Sequence, residues 1–483
     1  MDLLKTGIAG LDEILRGGLR PFRSYLVRGG PGSGKTTLGL HFLSQSTQGK
    51  NLFISLGESV TKIKDDAKGR GFNLSEIEFL ELSPSASFLR EHEGYDIFTS
   101  QEVEKTPIID QIIAEIEDLQ PARVFLDSAT YLSYLSNDKF QYRKEILSLI
   151  DFTAEEDATL MIASESTQQN PDYDLQFVVD GVLNFTREED ERYLYISKLR
   201  GANYLSGKHS LKLKEAGIEV YPDYIPVAEK KDEDRKKISS GIPSLDKLLN
   251  GGIERGTTTI ISGPTGVGKT TLGVQYMKEA AGRGEKSIIY TFEESVDTII
   301  KRCEAIKIPI SDMLDNSFLE IEQINPLRYS PAEFFTRVRK KVEASQIDII
   351  MLDSLSGYKM AFPDNSTDNE KIKQLHILNK YLSRIGVTII IVNEVSNIIG
   401  DFKATGFGIS YLADNIIILN YLEYGSQIRK SIGVLKKRLS DFERYLRNFE
   451  IGEYGIEVGE PLSDLQGILT GNVVNIGDGG DRE

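Results

Sequence analysis

Short apolar runs alternate with amphipathic stretches along the chain, and the alternation is written twice. In the first half the strand-like runs are 24–27, 51–59, 124–128 and 159–165; in the second they are 259–262, 287–295, 349–354 and 387–394. Helix-compatible runs separate them, among them 37–48 and 271–283. Strands that read as unbroken apolar runs, with helical segments between them, predict a mostly parallel sheet covered by helices in each half. The expected fold class is therefore α/β, with two tandem domains of one kind.

The first apolar run of each half ends in glycines. Gly29, Gly30, Pro31, Gly32, Ser33, Gly34, Lys35, Thr36 and Thr37 form one P-loop, and Gly263, Pro264, Thr265, Gly266, Val267, Gly268, Lys269, Thr270 and Thr271 form the other. Triphosphate oxygens must be met by several backbone N–H groups at once, which calls for glycines and the positive end of a helix behind them. Lys35 and Lys269 are expected to reach the β/γ-phosphates, and the Thr36 and Thr270 hydroxyls to hold Mg²⁺. Two later apolar runs each end in one carboxylate, Asp127 and Asp353. A carboxylate at that end of a central strand sits beside the P-loop and completes the expected metal set. The polar strand ends at Glu165 and Glu394 either sense the γ-phosphate or cap the strand.

The repeat covers more than the motifs. Thr6-Gly7-Ile8 through Gly17-Gly18 returns as Ser240-Gly241-Ile242 through Gly251-Gly252, with the spacing that separates the P-loops, which marks a duplicated domain. Residues 1–230 and 238–460 are the expected domains, 231–237 a charged linker, and 461–483 a flexible acidic tail. Composition agrees with two buried cores: 483 residues, 40% hydrophobic and 27% charged. The single cysteine, Cys303, excludes an internal disulfide. The four histidines form no ligand-spaced cluster. The opening Met1-Asp2-Leu3 lacks a signal pattern and no apolar run approaches the ~20 residues a membrane span needs, so the expected location is the cytoplasm. A net charge of −16 argues against a nucleic-acid partner.

The order Thr/Ser-Gly-Ile, P-loop, Phe-Glu-Glu (Leu-Gly-Glu in the first half), carboxylate-ended strand and Lys-x-Arg, present in tandem, resembles the KaiC family of RecA-like ATPases over nearly the whole chain. The resemblance implies two RecA-like domains, rings of six subunits, ATP with Mg²⁺ at subunit interfaces, slow hydrolysis, a KaiB-like or other signalling partner, and in clock members autophosphorylation by the second half. It implies that Glu293, the first of the pair Glu293-Glu294, is the general base. It also implies that Lys198 and Arg200, and Lys436 and Arg438, reach a neighbouring subunit's nucleotide.

At the base position the halves diverge. The first half has Gly57-Glu58 where the second has Glu293-Glu294. Either Glu58 substitutes from one position along, or the first site turns over more slowly; Glu58 can also serve the dipole of the helix that follows. The segment 408–417 matches the frame of the clock members' phosphosite, with Ser410 at the serine position. Tyr411 stands at the threonine position, where its hydroxyl lies ~2–3 Å farther out on a rigid ring. Gln176 and Phe177, the first-half equivalents, carry no aliphatic hydroxyl, so autokinase activity is expected at Ser410 alone, which could otherwise cap a turn. Two other classes fit a fold of this kind: a RecA/RadA-like DNA-dependent motor, and a nucleotide-gated scaffold with little catalysis.

Overall fold

In the computed structural model the alternating runs become two sheets of one topology. The structure describes residues 2–45, 49–82, 108–135, 139–165, 172–188, 191–223, 236–362, 366–395, 410–424, 426–468 and 474–475. The chain divides into two units, Met1–Tyr224 and Ile225–Glu483.

In the first unit β1 (Ser24–Gly29), β2 (Asn51–Ser55), β3 (Ile77–Glu81), β4 (Arg123–Asp127), β5 (Thr159–Ser164) and β6 (Gly181–Glu188) are parallel, in the order β3-β2-β4-β5-β1-β6. The antiparallel strands β7 (Glu191–Leu199), β8 (His209–Lys214) and β9 (Gly217–Tyr221) extend the sheet beyond β6. The second unit opens with the short antiparallel pair β10 (Lys237–Ile238) and β11 (Ile253–Glu254). Its sheet repeats the first order with β12 (Thr258–Gly263), β13 (Ser287–Thr291), β14 (Leu319–Gln323), β15 (Ile349–Asp353), β16 (Thr388–Glu394) and β17 (Asn415–Tyr424), then β18 (Gln427–Lys437), β19 (Arg447–Gly452) and β20 (Gly455–Pro461). Even the register slip in the β6–β7 hairpin, at Val182/Leu183, recurs in β17–β18 at Ile416/Ile417.

Alternation within each strand divides the core in two. Tyr25, Val27, Phe53, Phe125 and Met161 pack on one face of the first sheet; Leu26, Leu52, Ile54, Val124 and Leu126 pack on the other. Ile261, Ile289 and Met351 against Ile260, Ile288 and Ile350 do the same in the second. Because both faces are covered, the central strands carry apolar residues at successive positions through their middles, each side chain worth roughly 1.5–3 kcal/mol on burial.

Helix boundaries follow local chemistry. Pro331 opens the helix Pro331–Ser345 behind the cap Ser330, whose side chain accepts from Glu333 N. Thr367 and Glu370 form a capping box at the start of Asp368–Arg384. The P-loop helices begin at Lys35 and Lys269, two residues before the apolar pattern indicated, because Gly34 (φ 105°) and Gly268 (φ 116°) take the left-handed conformation that turns the chain into each helix. Of the stretch expected to be linker, 231–235 lies outside the described residues and Lys237 already pairs with Glu254 in the β10–β11 ladder. Of the expected tail, Pro461 closes β20 and Leu465–Gln466 pairs with Val474–Asn475, while 476–483 lies outside the described residues.

Candidate nucleotide sites

Each P-loop runs from the carboxyl end of the strand between β5 and β6, or β16 and β17, into its helix. A Cβ on Gly29 would lie 2.7 Å from Phe185 O and one on Gly263 2.4 Å from Leu419 O, so both loops lean on the neighbouring strand. Ser33 and Val267 point inward under the loops, 7% and 0% exposed, and can offer a phosphate only their backbone N–H. Lys35 Nζ donates to Gly29 O at 2.9 Å and Gly30 O at 3.0 Å; Lys269 Nζ donates to Pro264 O at 2.7 Å. Burial lowers both ammonium pKa values, opposed by nearby carboxylates, Glu165 and Asp127 for Lys35 and Glu394, Asp353, Glu293 and Glu294 for Lys269. A polyanion at the loop would meet a desolvated cation and a helix N-terminus together.

The residues expected to hold the metal lie together in each unit. Thr36 Oγ1 donates to Asp127 Oδ2 at 2.7 Å, and the Thr270 hydroxyl lies against the Asp353 carboxylate. Asp353 Oδ2 is buried with no hydrogen-bond partner, and burial lifts its carboxyl to about 6; burial also pushes Asp127 up. A buried carboxylate oxygen without a donor, beside a threonine hydroxyl, fits a hard cation with oxygen ligands such as Mg²⁺. In both units the peptide after this aspartate, Asp127–Ser128 and Asp353–Ser354, is cis.

The acidic pair after β13 divides its labour. Glu293 Oε1 accepts from Ser354 Oγ at 2.7 Å, next to Asp353. Glu294 is held in a two-point pair by Arg302, at 2.7 and 2.8 Å. Glu58 follows Gly57 in the turn beyond the end of β2 at Ser55, near enough for its charge to raise Asp127. Glu394 accepts from Thr265 Oγ1, which ties the end of β16 to the P-loop, whereas Glu165 is anchored through its N–H by Thr130 Oγ1 at 2.9 Å.

The basic strand ends contact their own chain. Lys198 Nζ donates to Gln176 O at 2.8 Å and Phe177 O at 3.0 Å, and Arg200 to Phe177 O at 3.3 Å. In the second unit Lys436 Nζ donates to Ser410 O at 2.6 Å and Arg438 Nη2 to Tyr411 O at 2.6 Å. The Lys-x-Arg ends thus brace the segment that carries Ser410 and its first-half equivalent, a contact that the strand pattern did not foretell. Arg200 and Arg438 side chains keep 57% and 46% of their surface exposed, enough to serve a second partner. Between them, Lys437 turns inward to Glu254 at 2.9 Å, fully buried. Ser410 and Tyr411 are exposed, while 396–409 lies outside the described residues.

Sequence reasoning passed over Ser354, Arg302 and Tyr131, each beside the acidic pair or its first-unit equivalent. Recurrence of serine directly after both aspartates was the available signal for Ser354. Arg302 lies in the helix Val296–Glu304, beyond the turn that carries Glu294, and nothing local marks the pairing.

Among the described residues no helix is long and apolar enough to cross a membrane. The family model described as "ATPase: KaiC" matches residues 4–224 and 238–463. Over 98% of its length the chain is 26% identical to "Circadian clock protein KaiC3" of Synechocystis sp., covering 94% of that protein. It is 25% identical to "Circadian clock oscillator protein KaiC" of Acaryochloris marina and 24% identical to the protein of the same name in Synechococcus elongatus, covering 91% and 92% of those proteins. With two P-loops, two carboxylate-ended strands and two matches to one family model, the chain belongs to the KaiC family of ATPases, as a tandem of two RecA-like ATPase domains that binds ATP.

Proposed function

We propose that this chain is a ring-forming regulator that hydrolyses Mg·ATP chiefly at its second site and autophosphorylates Ser410, serving signalling of the circadian type. The observation that carries the catalytic part is Glu293, a carboxylate fixed by Ser354 Oγ beside Asp353. Lys269 and the loop N–H groups bind and orient the phosphates. Thr270 and Asp353 in the second unit, and Thr36 and Asp127 in the first, would hold Mg²⁺, which when bound neutralises charge on the β/γ oxygens. Glu293 takes the proton from the attacking water, and phosphate leaves with ADP. Lys436 and Arg438, with Lys198 and Arg200 in the first unit, would supply positive charge to the site of a neighbouring subunit in a hexamer. Glu293→Gln should lower second-site phosphate release by ~10²–10⁴-fold. Release unchanged in that variant would remove Glu293 from the reaction.

The kinase step uses the same groups: the Ser410 hydroxyl of a neighbouring subunit replaces water, its proton passes to Glu293, and the γ-phosphoryl moves to Oγ with ADP leaving. Its support is the contact between Lys436 and the Ser410 carbonyl, 2.6 Å apart, which would leave a phosphate on Ser410 with a cation nearby. Phosphopeptide mapping after incubation with Mg·ATP should find label at Ser410, lost in Ser410→Ala. Label that persists in that variant sinks the assignment.

A further inference from the structure

Gly57 and Glu293 occupy one backbone frame. Leu56 N–H donates to Asp127 O and Phe292 N–H to Asp353 O, both at 2.8 Å. Ser55 Oγ donates to Glu58 O at 2.6 Å, and Thr291 Oγ1 to Glu294 O at 2.9 Å, so the strand ends turn alike. On the facing turn, Tyr131 follows Ser128 as Gly357 follows Ser354. The large side chain has changed sides. A Cβ on Gly57 would lie 2.2 Å from Tyr131 Cε2 and 2.6 Å from Cζ; one on Gly357 would lie 2.4 Å from Phe292 Cβ and 3.2 Å from Glu293 Oε1. The space that holds the carboxylate in the second unit holds a phenol ring in the first.

A separate trace marks the same exchange. Ser354 Oγ donates to Glu293, whereas Ser128 Oγ, its counterpart, is buried and has no hydrogen-bond partner. Glu58 shares the frame of Glu294, which faces Arg302 and not Ser354. Asp66 stands in the helix Val60–Gly69 where Arg302 stands in Val296–Glu304, so the first unit has lost that pairing as well.

We propose that Tyr131 fills the general-base position of the first site, which therefore holds ATP as a long-lived ligand and barely hydrolyses it. The proposal rests on the reading that both sites bind ATP, and it assigns the chain's turnover to the second. Tyr131 is a positioning residue here: its ring, and not its hydroxyl, excludes a carboxylate and the water that a carboxylate would orient.

The test uses the full chain carrying Glu293→Gln, loaded with γ-labelled Mg·ATP and freed of unbound nucleotide. Two nucleotides per chain, retained as ATP while wild type turns over many times, and release reduced to a few per cent, are expected. Adding Gly57→Glu with Tyr131→Gly should raise release at least ~10-fold, a modest part of what a general base contributes. Gly57→Glu alone should not, because the ring blocks it, nor should Tyr131→Gly alone; Tyr131→Phe should match its parent. If the combined variant does not fold, the fate of the label in the Glu293→Gln chain still decides. Two bound nucleotides with release at half the wild-type rate or more, abolished by Glu58→Gln, would place the base at Glu58 and overturn the proposal alone. A tenfold change on Tyr131→Phe would overturn the passive role of the ring. One nucleotide per chain, with a count unaffected by Lys35→Ala, would overturn the binding reading and the proposal together.

Discussion

Ser354 shows how much a single hydroxyl can carry. It caps the helix Leu355–Lys359 by accepting from Gly357 N and donates to Glu293 at 2.7 Å, so it fixes a helix start and a carboxylate with one oxygen. Ser354→Ala should reduce second-site kcat by roughly 3–10-fold with KM little changed, because orientation of the base is lost while phosphate binding stays. Ser128→Ala, with no carboxylate to orient, should leave phosphate release within about twofold of wild type; equal losses in the two variants would refute this asymmetry. His41 gives a pH test. Its Nε2 accepts from Ile218 N at 2.9 Å, and burial lowers its pKa to about 4, so the folded chain refuses a proton that the unfolded chain takes near 6.5. Its contribution is present above pH 6.5 and is lost as pH falls toward 4, by about 1–2 kcal/mol after allowance for partial exposure. Thermal unfolding between pH 7 and 5 should therefore shift less in His41→Gln than in wild type. The residues legible in the sequence were those whose meaning is local: loop glycines, Lys35 and Lys269, Asp127 and Asp353. Gly57 could be seen as a departure, but Tyr131 approaches it from the helix Ala129–Leu135, and no spacing along the chain brings the two together.

Elements depend on small residues where they touch. Gly39 lies inside the helix Lys35–Ser44, and a Cβ there would sit 2.3 Å from the Phe125 ring, itself buried and edge-on to Phe53; at Gly273 a Cβ would sit 2.2 Å from Met351 Sδ. These glycines let each P-loop helix settle on the strand that ends in Asp127 or Asp353, which sets the distance from loop to carboxylate. Ring and thioether differ in how far they yield. Gly39→Ala should destabilise the first unit by about 1–3 kcal/mol through overpacking, whereas Gly273→Ala should fall within ~1 kcal/mol of wild type, since Met adapts and alanine favours the helix. Unfolding midpoints that rank the two the other way would show that the ring relaxes more easily. Strand and helix order were readable from the apolar runs because central parallel strands covered on both faces carry apolar residues at successive positions. The Lys-x-Arg brace was not, because it is a side chain to carbonyl contact from a strand end to a segment distant in sequence, in the first unit the helix Tyr173–Val178. Lys437 illustrates the limit: in a run of three cations, only the pleat decides that the middle one goes inward to Glu254.

At the scale of the whole chain, duplication kept the topology and let the two sites drift apart. Both sheets have one strand order and one register slip, yet where the second unit has the carboxylate of Glu293 the first has Gly57. A site that holds ATP without consuming it keeps its ligand through many cycles of the other, which suits a subunit contact better than a motor stroke. Ligand bound only in the assembled state favours assembly by mass action, and the gain persists only while the ligand does. Lys35→Ala and Lys269→Ala should therefore separate two properties in one ring. In the presence of Mg·ATP, Lys35→Ala is expected to sediment as smaller species, because the first site loses the nucleotide that neighbouring Lys198 and Arg200 would grip. Lys269→Ala is expected to keep the assembly of the wild type and lose most phosphate release. Sedimentation velocity of the two variants, with release measured on the same samples, checks this, and the opposite pairing of defects would mean that the second site holds the ring together while the first does the work.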